Sequence, residues 1–185
     1  MGSVRKCRRL LFLLSLFLSA GCDFGDDLAP SGNDQRPAVT PGTTGPAVGQ
    51  TAPDFALPDT LGNTVTLTAS LASSKAVVLY FTMWCPVCDT HMSHMRSAVI
   101  PNYPDVRFLA ADYVSGSVAD ARNSEVSNGY AGSGFTVLVD IGNPVLRSYT
   151  ATMGTTVVID NTGVVRMNED YRNGGNRQAV LGSLP

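Results

Sequence analysis

Residues 75–81 read KAVVLYF, an unbroken apolar run rich in β-branched side chains, and Pro86 opens PVCDTHMSHMRSAVI five residues later. A run with no polar alternation predicts a strand covered on both faces, which requires a layered α/β domain. Proline suits the first position of a helix, where its missing N–H would be unpaired anyway. The downstream pattern agrees. VRFLAADY reads as a second apolar strand, SVADARNSEVSNGY as a helix, FTVLVD as a third strand and NPVLRSY as a short helix. TTVVIDNTGVVRM reads as a hairpin turning at Asp160-Asn161-Thr162-Gly163, and NRQAVLGSL as a closing helix. Upstream, APDFALPDTLGNTVTLTASL alternates around Leu61-Gly62-Asn63 and reads as a short N-terminal hairpin. No internal repeat is present. The expectation is one α/β domain over residues 51–185.

The first 50 residues have a different character. Arg5, Lys6, Arg8 and Arg9 precede LLFLLSLFLSA, Leu10–Ala20, and no acid occurs before Asp23. Eleven apolar-dominated residues are too few for a membrane span, which needs roughly 20, but they suit the core of an export signal over residues 1–21. The following LSAGC resembles a bacterial lipoprotein box in which Cys22 becomes lipidated; it departs from that pattern at Ser19, where leucine is usual. Ordinary signal cleavage after the same small residues is the rival reading. Several acyl chains anchor firmly where one anchors only marginally, so lipidation would tether the protein to a membrane, facing the periplasm or the outer surface. Cys7 falls in the removed segment. Asp23–Gln50 holds four prolines and five glycines without apolar periodicity and reads as a flexible linker. Its ends would lie on the order of 30 Å apart. Without the first 21 residues, nine basic residues face fifteen acids, a net charge of -6 that does not favour nucleic acid.

Cys85-Pro86-Val87-Cys88 carries the chemistry. With Pro86 at the first helical position, Cys85 becomes the N-cap. Its sulfur then faces free backbone N–H groups and the positive end of the helix dipole. Both favour thiolate over thiol. Cys88 falls one turn into the helix, where it can clear a mixed disulfide formed on Cys85. Export supports a disulfide that persists. A fixed small-loop disulfide, a pair of inert core thiols and a metal site are the other readings of the same cysteines. For metal, Cys85, Cys88, His91 and His94 recur every three residues, each step turning a helix by roughly 300°, so all four drift apart around the cylinder. Cys88, His91, Met92 and Met95 share a face and would suit copper(I), although the two methionines are more often core fillers.

The strand order, with CxxC between the first long strand and its helix, resembles the thioredoxin fold. More closely it resembles the exported redoxins, which are thiol-disulfide oxidoreductases and peroxiredoxin-like proteins of the AhpC/TSA group. The match is carried by APDFALPDTLGNTVTL, VVLYFTMWCPVC and GTTVVIDNTGVV and runs through nearly all of residues 51–185. The resemblance implies a central mixed β-sheet flanked by helices with an N-terminal hairpin extension. It implies a Cys85–Cys88 redox pair that exchanges disulfides with a protein partner and needs no cofactor, and it places Trp84 over the disulfide. His91 stands near where cytochrome-maturation relatives carry a glutamate, and a cation there would stabilise a thiolate.

Two relatives suggest other activities. FTMWCPVC is similar to copper-delivery proteins, whose cysteines stand one residue farther apart and which use a histidine before the late hairpin; RSYTATMG offers only Met153 there. Copper(I) is therefore possible but not favoured. Thr82, three residues before Cys85, matches a peroxidatic site, which would make the protein an antioxidant peroxidase. The arginine such a site needs before the hairpin is absent, with Met153 and Gly154 in its place and Arg147 earlier. The chain departs from thioredoxins in two further ways. The active-site strand holds no acid to relay protons, which leaves water or His91. Gly154 occupies the place of the cis-proline, so the Met153–Gly154 bond is expected to be trans.

Overall fold

The computed structural model describes residues 39–171 and 174–184. The signal peptide, Cys22 and its lipidation, and the linker before residue 39 lie outside the described residues. The elements are β1 (Ala56–Pro58), β2 (Thr64–Thr66), α1 (Leu67–Ala72), β3 (Ala76–Thr82), α2 (Pro86–His94), β4 (Val106–Asp112), α3 (Val118–Ser127), β5 (Phe135–Val139), α4 (Pro144–Ser148), β6 (Thr155–Asp160), β7 (Val165–Asp170) and α5 (Gly175–Ser183).

The central sheet has the order β5-β4-β3-β6-β7. β3 runs parallel to β4, and β4 to β5, while β6 is antiparallel to both β3 and β7. This is the mixed sheet expected from the sequence. All seven residues of β3 are buried, because side chains alternate between two covered faces. Val77, Leu79 and Phe81 enter one core with Phe55, Leu57, Leu67, Val145 and Tyr149. Val78 and Tyr80 enter the other with Met92, Met95, Val99 and Leu181. Each fully buried aliphatic or aromatic side chain contributes roughly 1.5–3 kcal/mol. Met92 and Met95 are thus core residues, 1% and 0% exposed.

Three segments differ from the sequence expectation. TLTASL does not extend the N-terminal hairpin: β1 and β2 pair over only three residues each, and a helix follows. Thr66 causes the switch. Its hydroxyl accepts the Ala69 N–H at 3.1 Å, and its carbonyl receives the Ser70 hydroxyl at 2.7 Å, which is an N-cap in place of a continuing ladder. The helix after Cys88 keeps regular α form only to His94, then loosens into a π-type turn over Met95–Val99 and a 3₁₀ turn over Ile100–Asn102. Pro101 stands there with no N–H to continue the ladder.

The third difference is the linker boundary, which the sequence places at residue 50. Residues 43–50 instead form an arm along β7. Gly49 N–H reaches Val165 O and Val165 N–H reaches Gln50 O, both at 2.9 Å. Asn168 Nδ2 also donates to Pro46 O at 3.0 Å. The arm enters beside Gly163–Val165, where Thr51 bridges Val164 and Ala52 N–H reaches Gly163 O. The β6–β7 hairpin turns where the sequence predicts, around a buried Asp160. Its carboxylate receives Thr162 N–H at 2.9 Å, Thr162 Oγ1 at 2.6 Å, Val164 N–H at 3.0 Å and Arg166 Nε at 2.6 Å.

Candidate active site

The C-terminal end of β3 and the first turn of α2 bring the two thiols together. Cys85 is the N-cap, with extended backbone (φ -82, ψ 162) and Pro86 immediately inside the helix. Its Sγ accepts the Cys88 N–H at 3.2 Å and lies 2.7 Å from the Cys88 Sγ; both thiols are free. Cys85 is half-buried and Cys88 fully buried. The environments split their acidities. Burial alone would raise Cys85, but hydrogen bonds from the Cys88 thiol and from the backbone of Cys88 and Val87 outweigh it and hold the thiol below its ordinary value. Burial, joined by the hydrogen bond to Cys85, pushes Cys88 up. The two thiols are thus held on opposite sides of their ordinary value.

Trp84 precedes the pair in a left-handed conformation, φ 59, uncommon for a bulky residue. Two contacts hold it there. The Thr82 hydroxyl, at the buried end of β3, accepts the Trp84 N–H at 3.2 Å. The indole Nε1–H donates to Asp112 at 2.7 Å. Asp112 is fully buried and also receives Val114 N–H and Ser115 N–H.

His91 lies one turn beyond Cys88. Its Nδ1 is 3.0 Å from the Tyr80 hydroxyl, and its ring stacks on Tyr171 with centroids 4.1 Å apart. Burial, then the nearby charge of Arg177, moves the imidazole below its usual pKa. Proximity to Cys88 therefore does not make His91 a resident cation supporting a thiolate, as the sequence suggested; its surroundings favour the neutral ring. His94 is half-buried and meets the Tyr171 hydroxyl through Nδ1.

Gly154 completes the site from the turn before β6. Its N–H donates to Phe81 O at 3.0 Å, and its carbonyl accepts Tyr171 N–H at 2.9 Å. A β-carbon here would sit 3.5 Å from His91 Cε1. The described residues contain no cis peptide bond, and Gly154 adopts φ 84, a region open to glycine. Met153 is half-buried beside it. Arg147 is occupied elsewhere, donating to Gly142 O at 2.6 Å. Among the described residues no three His, Cys, Asp or Glu side chains gather into a metal-binding group.

Sequence reasoning missed four contributors. Tyr80 looks like one more apolar strand residue, yet its hydroxyl reaches the site. Tyr171 and Arg177 lie more than 75 residues from the cysteines, and nothing local marks them. Asp112 carries a signal in its position: it ends a strand parallel to β3, in register with Thr82, so its side chain arrives at the same end of the sheet as CxxC.

The model of the AhpC/TSA family matches residues 48–168. Thiol-disulfide oxidoreductase ResA of Geobacillus thermodenitrificans is 32% identical over 126 residues, which are 66% of this chain and 69% of that protein. A structure from Chlorobium tepidum assigned as a thiol:disulfide interchange protein DsbE aligns with TM-score 0.60 and 26% identity, covering 75% of this chain and 99% of that one. A secreted disulfide oxidoreductase of Mycobacterium tuberculosis aligns with TM-score 0.54 at 18% identity, covering 70% and 96%, a likeness of fold.

Proposed function

The chain belongs to the AhpC/TSA family, and from that membership we propose that it exchanges disulfides with a protein partner through Cys85 as nucleophile and Cys88 as resolving thiol. It is a redoxin-type thiol-disulfide oxidoreductase, as its likeness to ResA and the DsbE-like structure supports. The observation that carries the finer reading is the pairing of a half-buried Cys85 sulfur at a helix N-terminus with a buried Cys88 sulfur 2.7 Å away.

In the reductive direction, the Cys85 thiolate attacks one sulfur of the partner's disulfide and the other leaves as a thiolate. Cys88, once deprotonated, attacks Cys85 in the mixed disulfide and releases the second partner thiol. Two electrons pass from the dithiol to the partner, and a Cys85–Cys88 disulfide closes. The oxidative direction is the same path reversed. The basic, apolar leader and LSAGC support export and a lipid tether at Cys22, a membrane-bound life facing the periplasm or the outer surface. No helix among the described residues is long and apolar enough to cross a membrane.

The test is trapping. Cys88→Ser should accumulate mixed disulfides with partner proteins, visible on non-reducing gels, and Cys85→Ser should form none. Equal trapping by both variants, or by neither, overturns the reading.

A further inference from the structure

A buried resolving thiol needs somewhere to send its proton, and no carboxylate of β3 is available to take it. The two acids placed nearby are committed elsewhere. Asp112 is held by Trp84, Val114 and Ser115, and Asp89 by the Tyr130 hydroxyl at 2.6 Å. The side chain close enough to feel the charge of Cys88 is Tyr80, itself fully buried. Burial raises the Tyr80 pKa, and the nearby charge of Cys88 raises it further. On its other side the same hydroxyl meets His91 Nδ1 at 3.0 Å. His91 is half-buried and so stands between this interior chain and solvent.

The second observation is Arg177. It is 1% exposed, and among the described residues its Nε and both Nη atoms find no hydrogen-bond partner. Its guanidinium lies 4.8 Å from the centroid of Tyr171, the ring that stacks on His91. A buried charge with no counter-ion among the described residues is costly, and arginine cannot shed its proton to escape. The groups facing His91 are thus Tyr80 from β3, Tyr171 after β7, Arg177 from α5, the Gly154 turn before β6, and Cys88 of its own helix. His94 stands one step removed, on the Tyr171 hydroxyl.

We propose that Tyr80 and His91 form the proton relay of Cys88, and that Arg177 is the positioning residue that keeps the imidazole neutral and ready to accept. The proposal rests on the exchange reading above. With the mixed disulfide on Cys85, the Cys88 S–H proton passes to the Tyr80 oxygen while the Tyr80 proton passes to His91 Nδ1. The Cys88 thiolate forms its bond to Cys85 sulfur as the partner's sulfur leaves with the electron pair. Arg177 disfavours the imidazolium just made, so His91 returns its proton to water, and Tyr80 is left unchanged. Run backwards, the same chain protonates Cys88 as it leaves.

The test uses the full chain carrying Cys7→Ser and Cys22→Ser, reduced and mixed with 5,5′-dithiobis(2-nitrobenzoate). The first release of the coloured thiolate reports attack by Cys85, and the second reports closure by Cys88. Near neutral pH, Tyr80→Phe and His91→Ala should each slow the second release about tenfold or more beyond any effect on the first. That deficit should shrink towards about pH 9, where thiols ionise without help. Free imidazole should restore much of the rate to His91→Ala. Arg177→Met should move the pH midpoint of the second release upward, because the imidazole then stays protonated to higher pH. If His91→Ala misfolds, Tyr80→Phe, which removes a single oxygen atom, decides. A second release unchanged in rate and pH profile in Tyr80→Phe overturns the relay alone. Absence of any second release from the unsubstituted cysteine pair overturns the exchange reading itself.

Discussion

The indole N–H of Trp84 donates to the Asp112 carboxylate at 2.7 Å, tying the residue just before Cys85 to the last residue of the neighbouring parallel strand. The bond holds Trp84 in a left-handed backbone conformation that costs roughly 1–2 kcal/mol for a side chain of this kind. Asp112→Ala would remove the acceptor of three donors at the partly buried end of the sheet, the indole and the N–H groups of Val114 and Ser115. The expected loss of stability is about 1–3 kcal/mol. Trp84 is the only tryptophan in the chain, so its fluorescence reads the site directly. Denaturant titration should show the destabilisation, with emission shifted to the red in the folded variant; unchanged emission and midpoint would refute the anchoring role.

The two thiols should titrate apart. Cys85 alkylation is expected to rise with pH through a midpoint below the ordinary thiol value of about 8.5, and Cys88 through one above it. In Cys88→Ala the Cys85 midpoint should climb, since the Cys88 thiol is the foremost of the hydrogen bonds that lower it. It should stay below the ordinary value, because the helix N-terminus and the Val87 N–H remain. Iodoacetamide kinetics on the single-cysteine variants measure both midpoints.

Gly154 should resist substitution. Proline would remove the N–H that donates to Phe81 O and would demand a negative φ where the chain has 84. The expected cost is about 3 kcal/mol or more, so installing the family's proline should unfold this turn and not improve exchange. Alanine keeps the N–H, and its β-carbon meets His91 at an ordinary contact distance of 3.5 Å. Its cost, about 1–2 kcal/mol, is that of the left-handed backbone alone. Thermal or urea denaturation of the two variants should rank them in that order.

Asp160 gives the fold an acid-sensitive joint. Burial pulls its pKa up, but hydrogen bonds from Thr162 and Val164 and the bond and charge of Arg166 prevail, and the carboxyl sits below its ordinary value. A depressed folded pKa means stability that is fully present above the unfolded value of roughly 4 and is lost as pH falls through the lower folded one. Asp160→Asn should be less stable at neutral pH and should flatten the acid limb of the stability curve. Urea midpoints measured from neutral pH down to about pH 2 check this; an unaltered acid limb would show that other carboxyls carry it.

The sheet and the paired cysteines were legible because their signals are local. An apolar run followed by Cys-Pro-x-Cys specifies strand, cap and helix within a dozen residues, and the Asp160 turn announces its hairpin in four. The short helix at Leu67 was obscured because threonine-rich TLTASL has a strand-like composition, and only the Thr66 cap decides against the strand. The inner half of the site was hidden for another reason. Tyr80, Tyr171 and Arg177 meet His91 from three different elements, and each is an unremarkable residue in its own segment. Tertiary packing alone makes them one assembly.

The arm along β7 has a directional consequence. β3 ends at the sulfurs, while β7 begins at the other pole of the sheet, and the chain arrives there through residues 43–51. Tension applied through the upstream chain therefore pulls on the pole opposite Cys85, loading the Asn168–Pro46 bond and then the Gly49–Val165 and Gln50–Val165 bonds. The end of the sheet that holds Cys85 is therefore not the end that would carry the load.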